Sequence, residues 1–146
     1  MSLYVGLDVG TQSVKLVAYD PQDRAVVATI AAPMELISRD DGTREQQAQW
    51  WIDGIVHCFA QLDGEQRARV RGISVSGQQH GFVPVAADGV HDFIAFQRSA
   101  GIAPKLDRRG DAAVGGAAGS VAAAGNPIMA GYTASKLPWT RKHRPE

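Results

Sequence analysis

Leu3-Tyr-Val-Gly-Leu-Asp8-Val-Gly10-Thr11-Gln12-Ser13-Val-Lys15-Leu-Val-Ala-Tyr19 is the stretch from which the fold can be read. Apolar residues alternate on both arms, at Leu3, Val5, Leu7 and Val9 and again at Val14, Leu16 and Ala18. A period of two over that length belongs to strands with one face on a core. Between the arms, Gly10 to Ser13 are small or polar and read as the turn of a hairpin. Gly10 permits backbone angles, or a close approach, that a Cβ would block. Asp8 falls on the strand beside that turn. A carboxylate followed by exposed N–H groups and hydroxyls is chemistry suited to Mg²⁺ and phosphate.

Outward from the hairpin, Asp20-Pro21-Gln22-Asp23 reads as a turn and Ala25 to Ile30 as a third strand. Three strands with short connections make an antiparallel meander. Pro33 to Gly42 reads as a loop of mixed charge. Thr43-Arg-Glu-Gln46 has the form of a capping box opening a helix. Ala48, Trp51, Ile52, Ile55, Val56 and Phe59 then fall on one apolar face, with Gln49, Asp53 and His57 turned away, and Gly64 ends the pattern. Val70 to Ser76 is a fourth strand, and after a crossover helix it is most simply parallel to an earlier one. Phe82 to Val85 reads as a fifth. The class expected is α/β: a meander, a helix, then further strands.

Composition narrows the function. The chain has 146 residues, 45% hydrophobic and 21% charged, which suits one globular domain with a core. Fifteen acidic and fifteen basic residues cancel, so nothing suggests a nucleic-acid or anionic-membrane partner. The single Cys58 excludes an intramolecular disulfide and a cysteine-rich zinc site. Asp8 interrupts the first apolar run, so no signal-peptide core is expected, and no stretch approaches the ~20 apolar residues of a membrane span. A cytoplasmic protein is the expectation.

Two further stretches carry chemistry. Gly77-Gln78-Gln79-His80-Gly81 follows the fourth strand, where ligands of open α/β sheets bind. Flanking glycines allow a sharp turn there, and Gln and neutral His offer both donors and acceptors, which suits a polyhydroxylated sugar. A lone His is more often a satisfied structural residue. Gly125-Asn126-Pro127 through Gly131-Tyr132-Thr133-Ala-Ser-Lys136-Leu-Pro-Trp139 reads as a turn, a loop and a helix from near Thr133 to near His143. Lys136 is open to reading as a solvated helix charge.

These residues carry a family resemblance. Asp8-Val-Gly10-Thr11-Gln-Ser13-Val-Lys15 resembles the phosphate-binding hairpin of the FGGY-family sugar kinases, within the actin-like, ribonuclease-H-like ATPase superfamily. Gly77 to Gly81 resembles the Gly-Gln-Met-His-Gly of the family's xylulokinases, with Gln79 in place of Met and His80 retained. The Gly125 to Trp139 stretch resembles the family's Gly-Asn-Pro…Gly-Phe-Thr-Ala-Pro-Lys-Leu-x-Trp segment. Glu45-Gln46 before Trp50-Trp51 matches another recurring feature. The resemblance implies an incomplete first lobe of that fold, residues 1–146, and ATP-dependent phosphorylation of a sugar, D-xylulose foremost. Kinases for ribulose, fuculose, rhamnulose, gluconate and glycerol share the hairpin. By the same resemblance Gly10, Thr11, Gln12, Ser13 and Lys15 face the phosphates of ATP, Asp8 holds Mg²⁺, and Gln79 and His80 orient the sugar. The general base is expected beyond residue 146, so no catalytic residue is assigned within the chain. The resemblance also allows homo-oligomers among full-length relatives, with the sugar and ATP as small-molecule partners. A remnant that only binds sugar or phosphate weakly is the rival reading.

The resemblance breaks between residues 90 and 113. The family's Trp-x-Asp-x-Arg pattern is absent there, and Arg, Gly and Ala dominate the second half. Matching sequence on both sides of an unmatched interval is what a shifted reading frame would leave. Asp107 and Asp111 are therefore not promoted to sugar ligands. Within the interval, Phe93-Ile-Ala-Phe96 reads as a short strand.

Overall fold

A computed structural model describes residues 1–40, 43–85, 94–97, 115–127 and 132–143. They fall into two units, Met1–Leu36 with Gln47–Gln79, and Ile37–Gln46 with His80–Glu146.

The first unit is a four-stranded sheet carrying two helices. β1 (Leu3–Val9) and β2 (Ser13–Asp20) form the expected hairpin, and β3 (Ala25–Pro33) completes the antiparallel meander. β3 runs three residues past the predicted Ile30, because Ser13, Val14 and Lys15 extend the pairing to Pro33, Ala32 and Ala31. β6 (Val70–Gly77) returns parallel to β1, giving the order β3-β2-β1-β6. The inward residues of the hairpin are those the alternation marks. Val5, Leu7, Val14, Leu16 and Ala18 are buried in one cluster with Ala32, Cys58 and Leu62. Each fully buried Val or Leu contributes roughly 1.5–3 kcal/mol, so this contact, and not the polar face, holds the hairpin.

α1 (Ala48–Gln61) covers that cluster, but rotated from the predicted face. Ala48, Gly54 and Cys58 are buried, with Trp51, Ile55 and Phe59 packed beside them, while Ile52 and Val56 are exposed. The reason lies at Gly54, where even a Cβ would come within 2.9 Å of Val14 Cγ2. A small residue lets the helix approach the sheet along the Gly54–Cys58 line, which apolar periodicity alone does not reveal. Gly64 does not end α1. It opens a second helix, α2 (Gly64–Arg69), whose N-cap Asp63 exchanges capping-box hydrogen bonds with Gln66. Asp20, at the end of β2, is buried and accepts a hydrogen bond from Arg69 at the end of α2.

The second unit holds a three-stranded sheet, β4 (Ile37–Ser38), β5 (Thr43–Gln46) and β7 (Ile94–Gln97). Thr43–Gln46 is thus a strand and not a helix cap; α1 starts after Gln47, with no side-chain cap. All four residues pair with β7, Thr43 opposite Gln97 through Gln46 opposite Ile94. Glu45 and Gln46 are buried, and Glu45 accepts from Arg39. Ile94–Gln97 makes good the short strand expected within the unmatched interval; residues 86–93 and 98–114 lie outside the described residues. Phe82–Val85 makes no strand beyond a single bridge at Phe82, and Pro84 has no N–H to give a ladder. α3 (Gly116–Ala124) is a helix where only a small-residue tract could be read, and α4 (Thr133–His143) has the predicted bounds. Among the described residues no helix is long and apolar enough to cross a membrane.

Candidate functional site

The hairpin turn is built by the core beneath it. Burial of Leu7, Val14 and Leu16 fixes the register in which Asp8 faces Lys15 and Val9 faces Val14, leaving Gly10 to Ser13 as the turn. Gly10 N–H closes it onto the Ser13 carbonyl at 3.0 Å. A Cβ on Gly10 would meet that same oxygen at 3.1 Å, so the glycine serves a close approach and not a left-handed angle. The Gln12 carbonyl accepts from Met34 N–H at 2.9 Å, which ties the turn to the end of β3. Thr11 and Gln12 lie outside both strand ladders. Asp8 and Lys15 are exposed on the face away from the core.

The parallel pairing of β1 with β6 adds residues to this turn. Asp8 lies beside Ser76, whose hydroxyl donates to the Asp8 carboxylate at 3.3 Å. Gln78 N–H donates to the Val9 carbonyl at 3.1 Å, and the Thr11 hydroxyl donates to Gln78 Oε1. The Nε2 of Gln78 is buried with no hydrogen-bond partner among the described residues. Ser76 was not singled out from the sequence, and Gln78 was read only as part of the Gly77–Gly81 stretch, with no role beside the hairpin. Only the register of two strands nearly seventy positions apart brings them to Asp8 and Thr11, and no local pattern carries that. Of the predicted residues, the first unit thus gathers Asp8, Gly10, Thr11, Gln12, Ser13 and Lys15 on one hairpin. Gln79 is exposed and ends that unit.

His80 belongs to the second unit and has its own surroundings. Its backbone is left-handed, at φ 66°, so the sharp corner falls on the histidine and not on the flanking glycines as expected. Its imidazole stacks on the Tyr132 ring with centroids 4.5 Å apart and planes 20° off parallel. The Thr133 hydroxyl donates to the Gly81 carbonyl at 3.4 Å, and Lys136 Nζ donates to the His80 carbonyl. Lys136 is 1% exposed, which overturns its reading as a solvated charge, and burial pushes its ammonium below the usual lysine range. His80, Ala124, Asn126, Pro127, Tyr132 and Ala134 line a cavity of about 340 Å³. A groove of about 410 Å³ between the end of β3 and α1 contains none of the predicted site residues.

The polar atoms shown at the Asp8 side chain are oxygens, its own carboxylate and the Ser76 hydroxyl. Such a set fits a hard cation that keeps waters and phosphate as its other ligands. Among the described residues no group of three or more His, Cys, Asp or Glu side chains forms a self-sufficient metal site.

The chain is similar to known proteins along nearly its whole length. The chain is 31% identical over 155 residues to a xylulose kinase of Haemophilus influenzae and 34% identical over 148 residues to one of Streptomyces coelicolor. Each alignment covers 99% of this chain but only 31% and 29% of the relative, so the chain spans about a third of their length. The crystal structure of a xylulose kinase from Rhodospirillum rubrum superposes with a TM-score of 0.85 at 26% identity, over 98% of this chain and 30% of that one. A gluconate kinase from Lactobacillus acidophilus, at 22% identity and a TM-score of 0.80, shares the fold. The model of the N-terminal domain of the FGGY family of carbohydrate kinases matches residues 3–146, and the chain belongs to that family.

Proposed function

We propose that this chain is the nucleotide-phosphate and sugar-orienting part of an ATP-dependent sugar kinase acting on D-xylulose. The observation that carries the reading is the hairpin itself: Asp8 and Lys15 paired beside a turn whose Thr11 is tied to Gln78. Phosphoryl transfer depends on positioning and on balancing charge more than on covalent chemistry. Gln12, exposed and outside the ladders, presents its side-chain amide to phosphate oxygens, the turn beside it brings Thr11 to them, and Lys15 adds positive charge. Asp8, with Ser76 beside it, is the group to hold Mg²⁺, which when bound neutralises the charge on the phosphates. His80 and Gln79 orient the sugar hydroxyls. No described residue is assigned the proton-accepting role.

Two features favour a ketose. His80 stands in a Gly-Gln-Gln-His-Gly stretch close to that of xylulokinases, and the relatives named above are xylulose kinases. The fold does not discriminate among sugars, since a gluconate kinase shares it. Titration of the ¹⁵N-labelled chain with Mg·ATP and, separately, with D-xylulose, D-ribulose, D-gluconate and glycerol tests the reading. The expected result is shifts at residues 10–13 with nucleotide and at 79–80 with D-xylulose above the other polyols. Nucleotide-induced shifts scattered away from the hairpin would overturn the phosphate assignment; equal response to every polyol would overturn the choice of sugar.

A further inference from the structure

We propose that Lys136 is a positioning residue for His80, holding the left-handed corner that aims the imidazole; this rests on the sugar-orienting reading of His80. A non-glycine residue at positive φ is strained, and the strain persists only where surrounding contacts over-determine it. Here the first turn of α4 and the residue before it supply three. Lys136 Nζ donates to the His80 carbonyl, Thr133 Oγ1 donates to the Gly81 carbonyl, and the Tyr132 ring lies against the imidazole. The imidazole is exposed while its own carbonyl is gripped by a buried cation. A buried ammonium needs an acceptor, so the lysine and the strained carbonyl hold one another. A helix surface lysine would do none of this, and a methionine of similar length would fill the space without the donor.

The signature is spectroscopic and needs no sugar. Stacked on Tyr132, the His80 ring protons carry an upfield ring-current shift in the labelled full chain, assigned by its loss in Tyr132→Leu. In Lys136→Met that shift is expected to collapse toward free imidazole, and in Lys136→Arg, which keeps a donor, to remain at least half. A second measurement guards against simple unfolding. Glycine adopts positive φ without strain, so Lys136→Met in a His80→Gly background is expected to lower Tm by less than half its effect beside His80. If Lys136→Met alone does not fold, the double variant is expected to recover dispersed spectra. A ring-current shift unchanged in Lys136→Met, an equal Tm loss in both backgrounds, or a double variant that stays unfolded would each overturn the proposal. Whether D-xylulose perturbs His80 in the parent chain bears only on the proposed function.

Discussion

Asp8 stands directly across the β1–β2 ladder from Lys15, one residue pair from the turn. Both side chains are exposed, and opposite charges so placed contribute only ~0.2–1 kcal/mol to a sheet. Stability therefore does not explain the carboxylate, and substitution separates the two roles. Asp8→Asn is expected to move the denaturation midpoint by less than about 1 kcal/mol. Losing a charge-assisted contact costs about 1.5–3 kcal/mol, so Mg·ATP affinity is expected to fall on the order of ten- to a hundredfold. Denaturant titration with and without Mg·ATP measures both. A large stability loss with unchanged affinity would make Asp8 a structural residue.

Gly54 reverses the usual sign of a helix substitution. Ala for Gly within a helix ordinarily gains about 1 kcal/mol. At position 54 the new methyl meets Val14 Cγ2 at 2.9 Å and Val14 Cβ at 3.3 Å, both within the core. Overpacking of that kind costs ~1–3 kcal/mol, so Gly54→Ala is expected to destabilise by about 1 kcal/mol net. Combining it with Val14→Ala makes room for the methyl, and the double variant is expected to be more stable than the sum of the single losses. Strict additivity in thermal or urea unfolding would show that α1 shifts freely on the sheet.

What was legible in the chain was local. The hairpin and its inward residues follow from a period of two, and α4 from its flanking turn and loop. Thr43–Gln46 was not legible, because a Thr-x-x-Gln sequence fits a helix cap and a strand equally. Its partner, Ile94–Gln97, lies some fifty residues away in a stretch with little pattern of its own. The same physics hid Ser76 and the tie of Gln78 to the hairpin, which arise only through parallel pairing. Lys136 misled for another reason: charge predicts exposure unless an acceptor such as the His80 carbonyl waits inside.

Asp20 gives the chain an acid-sensitive tie. Burial alone would raise its carboxyl, but the backbone N–H groups of Gln22 and Asp23 and the Arg69 guanidinium outweigh burial and hold the pKa below the usual value. A carboxylate depressed in the folded state contributes stability that is complete above its unfolded value of ~3.9. That contribution is lost as pH falls through the lower, folded value. Asp20→Asn is thus expected to lower Tm at neutral pH and to flatten the fall below about pH 4, the two curves converging in acid. Thermal scans from pH 7 to pH 2.5 make the comparison. Parallel curves would mean that other carboxylates carry the acid transition.

Cys58 reports on the same core from inside. Its side chain is fully buried, its thiol lies 3.7 Å from the Val14 carbonyl, and burial pushes its pKa up. Thiolate, not thiol, attacks disulfide reagents, so at pH 8 the folded chain is expected to react slowly with an aromatic disulfide and the urea-unfolded chain at once. Where reclosing outruns reaction, the ratio of rates reads the opening free energy of the first unit. Gly54→Ala is then expected to speed labelling in proportion to its measured loss of stability, since residues 54 and 58 face the sheet one turn apart on α1. A native rate equal to that of the unfolded chain would show that α1 does not stay closed over Val14.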